Sequence, residues 1–300
     1  MAEQIVVGCD GSENSDRALD WALREAGARS GEVKVVVSTG RPAAVDPSLY
    51  GPFLEAIEQE ADKIAGAAVT RARDAGVPGV AVVERGDAAG VLVHASEGAA
   101  VMVLGRRGRR GVRGRLGSVT AAAAAHAACP VIVLPERPAG ADPRAGAAGG
   151  PAGPFAGRVV VGVDRLGRDN PAVVAAGHYA ERHGAGLALV TVVPEGVSVP
   201  TGSAELDRAV HDQLTGPARA LVDQVAESVR EDHPQLDVET FVLSGPPADQ
   251  LVEAGRSAEL VVVGSRGYGG FRGLLMGSVS QAVLVECESP VMVVPARRKD

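Results

Sequence analysis

The stretch Val101-Met-Val-Leu-Gly-Arg-Arg-Gly108, continuing to Gly117-Ser118, decides the fold, and it occurs twice. The second copy reads Leu260-Val-Val-Val-Gly-Ser-Arg-Gly267 and continues to Gly277-Ser278. Each begins with an apolar run of strand length, passes through glycines and ends where a helix-like segment starts, so that backbone amides can converge on an anion. Glycine permits left-handed turns and close backbone approach, and a serine at the helix start offers its amide and its hydroxyl together. Two copies predict two nucleotide-binding modules.

Around these loops the two halves of the chain align. Ile5-Val-Val-Gly-Cys-Asp10 matches Val159-Val-Val-Gly-Val-Asp164, Gly86 matches Gly245, and Cys129-Pro130 matches Ser289-Pro290. Residues 136–156, rich in Pro, Gly and Ala without a hydrophobic period, read as a flexible linker between domains at 1–135 and 157–300. Within the first half, strands are expected near 4–9, 33–38, 79–84, 100–104 and 130–134. In the second they fall near 158–163, 186–192, 237–243, 259–263 and 290–294. Helical segments lie between, marked by Ala18, Leu19, Ala22, Leu23 and Ala26 on one face and by Leu54, Ile57, Ala61, Ile64 and Ala68 on another. Short helices are expected near 87–97 and 118–128. Strict alternation of strand and helix predicts an α/β protein with two five-stranded parallel sheets covered on both faces. Aromatic residues make up only 3% of the chain, so Val, Leu, Ile and Ala must fill those cores.

In such sheets ligands bind beyond the carboxyl ends of the strands, where strand order reverses. Asp10 and Asp164 end the first strand of each half and would share that crevice with the glycine loop. A single Asp at a strand end more often caps a helix or forms a turn; its repetition beside a phosphate loop favours a ligand role.

Thirty basic residues stand against thirty-seven acidic ones, a net charge of −7, which gives no support for general nucleic-acid binding. Six arginines, Arg106, Arg107, Arg109, Arg110, Arg113 and Arg115, crowd the first glycine loop, whereas the second has Arg266 and Arg272. They read either as a solvated basic loop or as a polyphosphate grip. No segment reaches the roughly 20 apolar residues of a membrane helix, and the start of the chain lacks a signal-peptide pattern, so a cytoplasmic protein without membrane contact is expected. Cys9, Cys129 and Cys287 lie far apart in apolar settings and read as buried, reduced thiols.

The sequence resembles a tandem universal stress protein of the nucleotide-binding type over both halves. That family's signature, Gly-x2-Gly-x9-Gly followed by Ser or Thr, is matched in full by Gly264, Gly267, Gly277 and Ser278. The resemblance implies Rossmann-like domains of the adenine nucleotide alpha hydrolase-like kind, with ATP held by the first-strand Asp, the end of the second strand and the glycine loop; a triphosphate can bring Mg²⁺ with it. By position the first half offers Asp10, Thr39, Gly105, Arg107, Gly108, Gly117, Ser118 and Val119. The second offers Asp164, Val192, Gly264, Arg266, Gly267, Gly277, Ser278 and Val279. Eight residues rather than nine separate Gly108 from Gly117, so the first loop must be tighter or its helix must begin earlier. The loop after Asp164 carries Arg-Leu-Gly-Arg where the first half has Gly11-Ser12-Glu13-Asn14, which narrows the entrance near the triphosphate.

Catalytic groups are sparse. There is no Gly-x4-Gly-Lys-Ser/Thr loop and no serine nucleophile elbow. His178 and His183 stand about 140° apart around a helix, so the histidines are read as surface residues without a ligand cluster, and no metal site is expected. An ATP-binding regulator acting on an unidentified protein partner leads. Slow Mg²⁺-dependent ATP hydrolysis through Asp10 or Asp164, and a scaffold that has lost nucleotide, are the alternatives. The resemblance further implies that the proline-fenced runs Pro130–Pro135 and Pro290–Pro295 pair as an intrachain pseudo-dimer, with a homodimer of chains as a further form of assembly.

Overall fold

The computed structural model describes residues 2–40, 47–109, 115–136, 153–164, 170–193, 204–266 and 276–296. The chain divides into two compact units, Met1–Pro138 and Ala139–Asp300.

In the first unit the strands are β1 (Gln4–Gly8), β2 (Glu32–Ser38), β3 (Gly79–Glu84), β4 (Val101–Gly105) and β5 (Val131–Leu134). They alternate with helices α1 (Glu13–Arg29), α2 (Pro47–Asp74), α3 (Ala88–Ala95) and α4 (Ser118–His126). The sheet order is β3-β2-β1-β4-β5, and every adjacent pair is parallel. Because parallel strands require crossover helices on the sheet faces, β1 and β4 are covered on both sides. Ile5, Val6, Val7, Met102 and Val103 are accordingly inaccessible to solvent. Helices α1 and α2 share one face, tied by Arg71 to Asp16 and Asp20; α3 packs against α4.

The second unit repeats the plan with β6 (Arg158–Gly162), α5 (Pro171–His183), β7 (Gly186–Val193), α6 (Ala204–Asp232), β8 (Val238–Ser244), α7 (Pro247–Gly255), β9 (Leu260–Gly264), α8 (Ser278–Glu286) and β10 (Val291–Val294). Its order is β8-β7-β6-β9-β10, again parallel throughout. The expected strands therefore fall within a residue or so of those observed. The helices differ more, since α2 runs well ahead of its apolar stripe and through Pro52. Most of the expected linker, residues 137–152, lies outside the described residues.

Local chemistry explains where several helices begin. The Ser12 hydroxyl accepts from the Ser15 amide at the start of α1, the Asp87 carboxylate from the Gly90 amide at α3, and the Asn170 side chain from the Ala172 amide at α5. Ser30 and Gly184 close α1 and α5 in the left-handed conformation.

The three cysteines lie outside disulfides and are buried, as expected. Burial, reinforced by the nearby Asp16 and Asp10 carboxylates, pushes the Cys9 thiol up to about 12, and burial does the same at Cys129. Both thiols therefore stay protonated and unreactive in the folded protein, with two consequences. Labelling by a thiol-specific disulfide reagent at pH 8 should require unfolding. Because the folded state disfavours the thiolate, this contribution to stability is complete below pH 9 and declines as pH rises toward 12. Alkaline denaturation should accordingly be less steep in a Cys9→Ala, Cys129→Ala double variant than in the parent.

Candidate nucleotide site

In the first unit the strand order reverses between β1 and β4, so the chain leaves these neighbouring strands in opposite directions and opens a crevice at their carboxyl ends. The end of β2 adjoins the same edge, where the Cys9 amide donates to the Val36 carbonyl. Asp10, Thr39 and the segment from Gly105 to Arg109 thus meet at one rim, together with the start of α4. Thr39 is half-buried, its amide donating to the Glu84 carbonyl at 3.0 Å.

Asp10 holds the rim together. One carboxylate oxygen accepts the Ser12 amide at 3.1 Å, and the other accepts the Arg109 amide at 2.7 Å, 99 residues further along the chain. The side chain is therefore a turn former and a clamp on the glycine loop at once. Each carboxylate oxygen can accept more than one hydrogen bond, so capacity remains for a ligand hydroxyl. Two close approaches here call for glycine. A Cβ at Gly108 would overlap the Asp10 carboxylate, and one at Gly105 would lie 2.8–3.0 Å from Asn14 at the start of α1.

The start of α4 supplies the donors. Gly117 is the N-cap and no side chain caps the helix. Helix geometry leaves the amides of Ser118, Val119 and Thr120 without intrahelical partners, at the positive end of the helix dipole. The Gly117 amide is not among them, because it donates to the Arg106 carbonyl at 2.9 Å and closes the base of the loop. Thr120 Oγ1 donates to the Gly105 carbonyl at 2.9 Å, fastening α4 to the end of β4.

The second unit has the same fastening: Ser280 Oγ donates to the Gly264 carbonyl at 2.6 Å, and the Gly277 amide to the Ser265 carbonyl at 2.9 Å. Helix α8 likewise starts from a glycine without a side-chain cap, which exposes the amides of Ser278 and Val279. Asp164 is exposed beyond the end of β6, and Val192 is half-buried near the end of β7. Arg266 is exposed, and Gly267 lies outside the described residues, as do Arg110, Arg113, Arg272 and the loop after Asp164. Since α4 and α8 begin at equivalent residues, the shorter first loop is not compensated by an earlier helix start. The one-residue difference lies between the anchors Gly108 and Gly117.

The Arg107 guanidinium pairs with Glu136, just past β5, and is 10% exposed. One expectation changes. The histidines do gather. His183 stacks on Tyr179, but His178 on α5 meets the buried His233, which follows α6, with ring centroids 5.0 Å apart. His233 comes from a separate element, which the angle around α5 does not constrain.

The family model for the universal stress protein family matches residues 1–135 and 156–295. The chain belongs to that family, as two tandem domains. A universal stress protein of Mycobacterium tuberculosis is 32% identical over 96% of this chain and 94% of its own, and one of Mycolicibacterium smegmatis is 30% identical over 98% and 97%. Among solved structures, a universal stress protein from Archaeoglobus fulgidus covers 99% of this chain and 97% of its own with a TM-score of 0.66 at 19% identity, a likeness of fold. No helix among the described residues of this universal stress protein is long and apolar enough to cross a membrane.

Gly108→Ala should displace Asp10, release the Arg109 amide and cost about 1–2 kcal/mol, the worth of a charge-assisted hydrogen bond. Trypsin cleavage after Arg109 should then accelerate. Gly27→Ala, whose added methyl meets nothing within 4 Å, should leave the cleavage rate unchanged.

Proposed function

We propose that each domain binds an adenine nucleotide, ATP with its Mg²⁺, as a regulatory ligand rather than as the substrate of a dedicated enzyme. The observation that carries this reading is the pair of glycine-started helices, α4 and α8, whose first-turn amides have no side-chain cap. In α1, α3 and α5 a side chain of the chain itself caps the helix, and α7, also without such a cap, starts on Pro246-Pro247, whose nitrogens carry no hydrogen to donate. At the two helices flanking the strand-order reversal that service is left to a ligand, and a phosphate suits both the amides and the dipole. The Gly105 and Gly108 approaches leave backbone rather than side chain at the rim, and Asp10 with Thr39 lies where a ribose and base would sit. Asp164, Val192, Arg266 and Gly267 serve the second domain in the same way. Hydrolysis is the less favoured reading, because both Asp10 oxygens already serve structural amides.

Ser118→Asp and Ser278→Asp separate binding from folding. A carboxylate in the first turn stabilises a helix by about 0.3–1 kcal/mol, so the melting temperature should hold or rise while ATP affinity falls more than about tenfold, roughly 1.4 kcal/mol or more. Titration calorimetry of each variant reads this directly. Unchanged affinity in both would overturn the assignment, and phosphate release that scales with protein and vanishes in Asp10→Ala would establish hydrolysis instead.

The last strand of each sheet is apolar throughout, Val131–Leu134 and Val291–Val294, and an apolar edge requires cover. The two edges cover each other in this proposal, giving a pseudo-dimer within one chain, and the regulated partner reads the paired surface. Val293→Lys should expand the molecule in solution scattering and speed proteolysis between the domains. An unchanged radius and cleavage rate would contradict the pairing.

A further inference from the structure

Away from the nucleotide crevices, the outer face of the second unit brings together His178, Glu181 and His233, and their ligand-capable atoms all lie within 4.8 Å of one another. We propose that they form a binding site for a divalent transition ion of the zinc class.

The backbone sets this arrangement. His178 and Glu181 are three residues apart on α5 and project from the same helix face. His233 follows the last residue of α6, and its backbone is pinned at both ends. Its amide donates to the Val229 carbonyl at 2.8 Å, and its carbonyl accepts the Leu236 amide at 3.0 Å. The imidazole is 8% exposed and seats its Nε2 edge against Gly177, where an added Cβ would lie 3.1 Å away. Its Nδ1 faces Glu181 Oε2 at 2.9 Å, and the His178 ring meets it edge-on at 85°. Thus one ligand is held rigidly while two exposed ones can adjust.

The distances suit a metal after small movements. Ligands at 2.0–2.1 Å from tetrahedral zinc stand about 3.3 Å apart. The Glu181–His233 pair is already near that separation, and rotation of the exposed His178 side chain brings in the third donor. The adjoining cleft, about 180 Å³, has walls of Val173, Val225 and Val229, with Asp232 at its rim as a fourth ligand or as the partner of a bound water. Two imidazoles and a carboxylate favour zinc, cobalt, nickel or copper over magnesium and calcium, which select all-oxygen sites.

The first unit provides an internal comparison. Counting back from the left-handed C-caps Gly184 and Ser30, the positions of His178 and Glu181 correspond to Arg24 and Gly27, neither of which ligates such an ion. The cluster therefore belongs to one domain, and the nucleotide fold common to both does not require it. A bound ion would cross-link α5 to the end of α6.

The test uses the full chain without an affinity tag. Calorimetric titration with zinc chloride should show one saturable site per chain and a raised melting temperature, and magnesium chloride should produce neither. His178→Ala and Glu181→Gln alter exposed side chains and leave the fold intact. Each should weaken zinc at least as much as loss of a supporting ligand contact does, about tenfold or more. Cobalt chloride should give a visible absorption band that both variants lose. Absence of saturable zinc binding, equal affinity in the parent and both variants, or a cobalt band that survives both changes would overturn the site.

Discussion

The structure turns on the approach of one carboxylate to one loop. Asp10, at the end of β1, reaches the Arg109 amide past a residue that can only be glycine. Strand order makes this contact available: β1 and β4 are neighbours although about a hundred residues separate them, and their connections leave in opposite directions. A crevice at such a reversal is a property of the topology. This chain adds backbone placed where side chains would otherwise fill the space.

The same economy governs the helices. Helices α1, α3 and α5 begin with a side chain that satisfies a first-turn amide, α7 begins with prolines, and α4 and α8 have neither. Each is instead fastened to the strand before it through a hydroxyl one turn in, Thr120 to Gly105 and Ser280 to Gly264. The fastening holds the helix end at a fixed distance from the glycine loop, so its amides are preorganised. Two domains sharing the device while differing in loop length indicate that the anchors, and not the loop between them, define the site.

Much of this was legible in the residues. Apolar runs such as Val101–Leu104, punctuated by glycine and alternating with 3.6-residue periodicity, located the strands, and parallel connectivity followed from the alternation. The doubled glycine pattern located the crevice. Sequence could not reveal that the Gly117 amide serves the Arg106 carbonyl, or that Arg107 turns to Glu136, since both depend on local backbone path. The histidine cluster was missed for a different reason. Its members come from α5 and from the residue after α6, more than fifty positions apart, and their meeting depends on the room left by Gly177, a position without any pattern of its own.

In the function proposed above, the uncapped first-turn amides receive a phosphate. Backbone amide resonances during titration with Mg²⁺ and ATP test it most directly, because each N–H reports its own hydrogen bonding. Large, saturable shifts are expected at Ser118 and Val119 and at Ser278 and Val279, with small ones at Gly117 and Gly277, whose amides are already engaged. Resonances of the four first-turn amides that stay fixed while others move would contradict it.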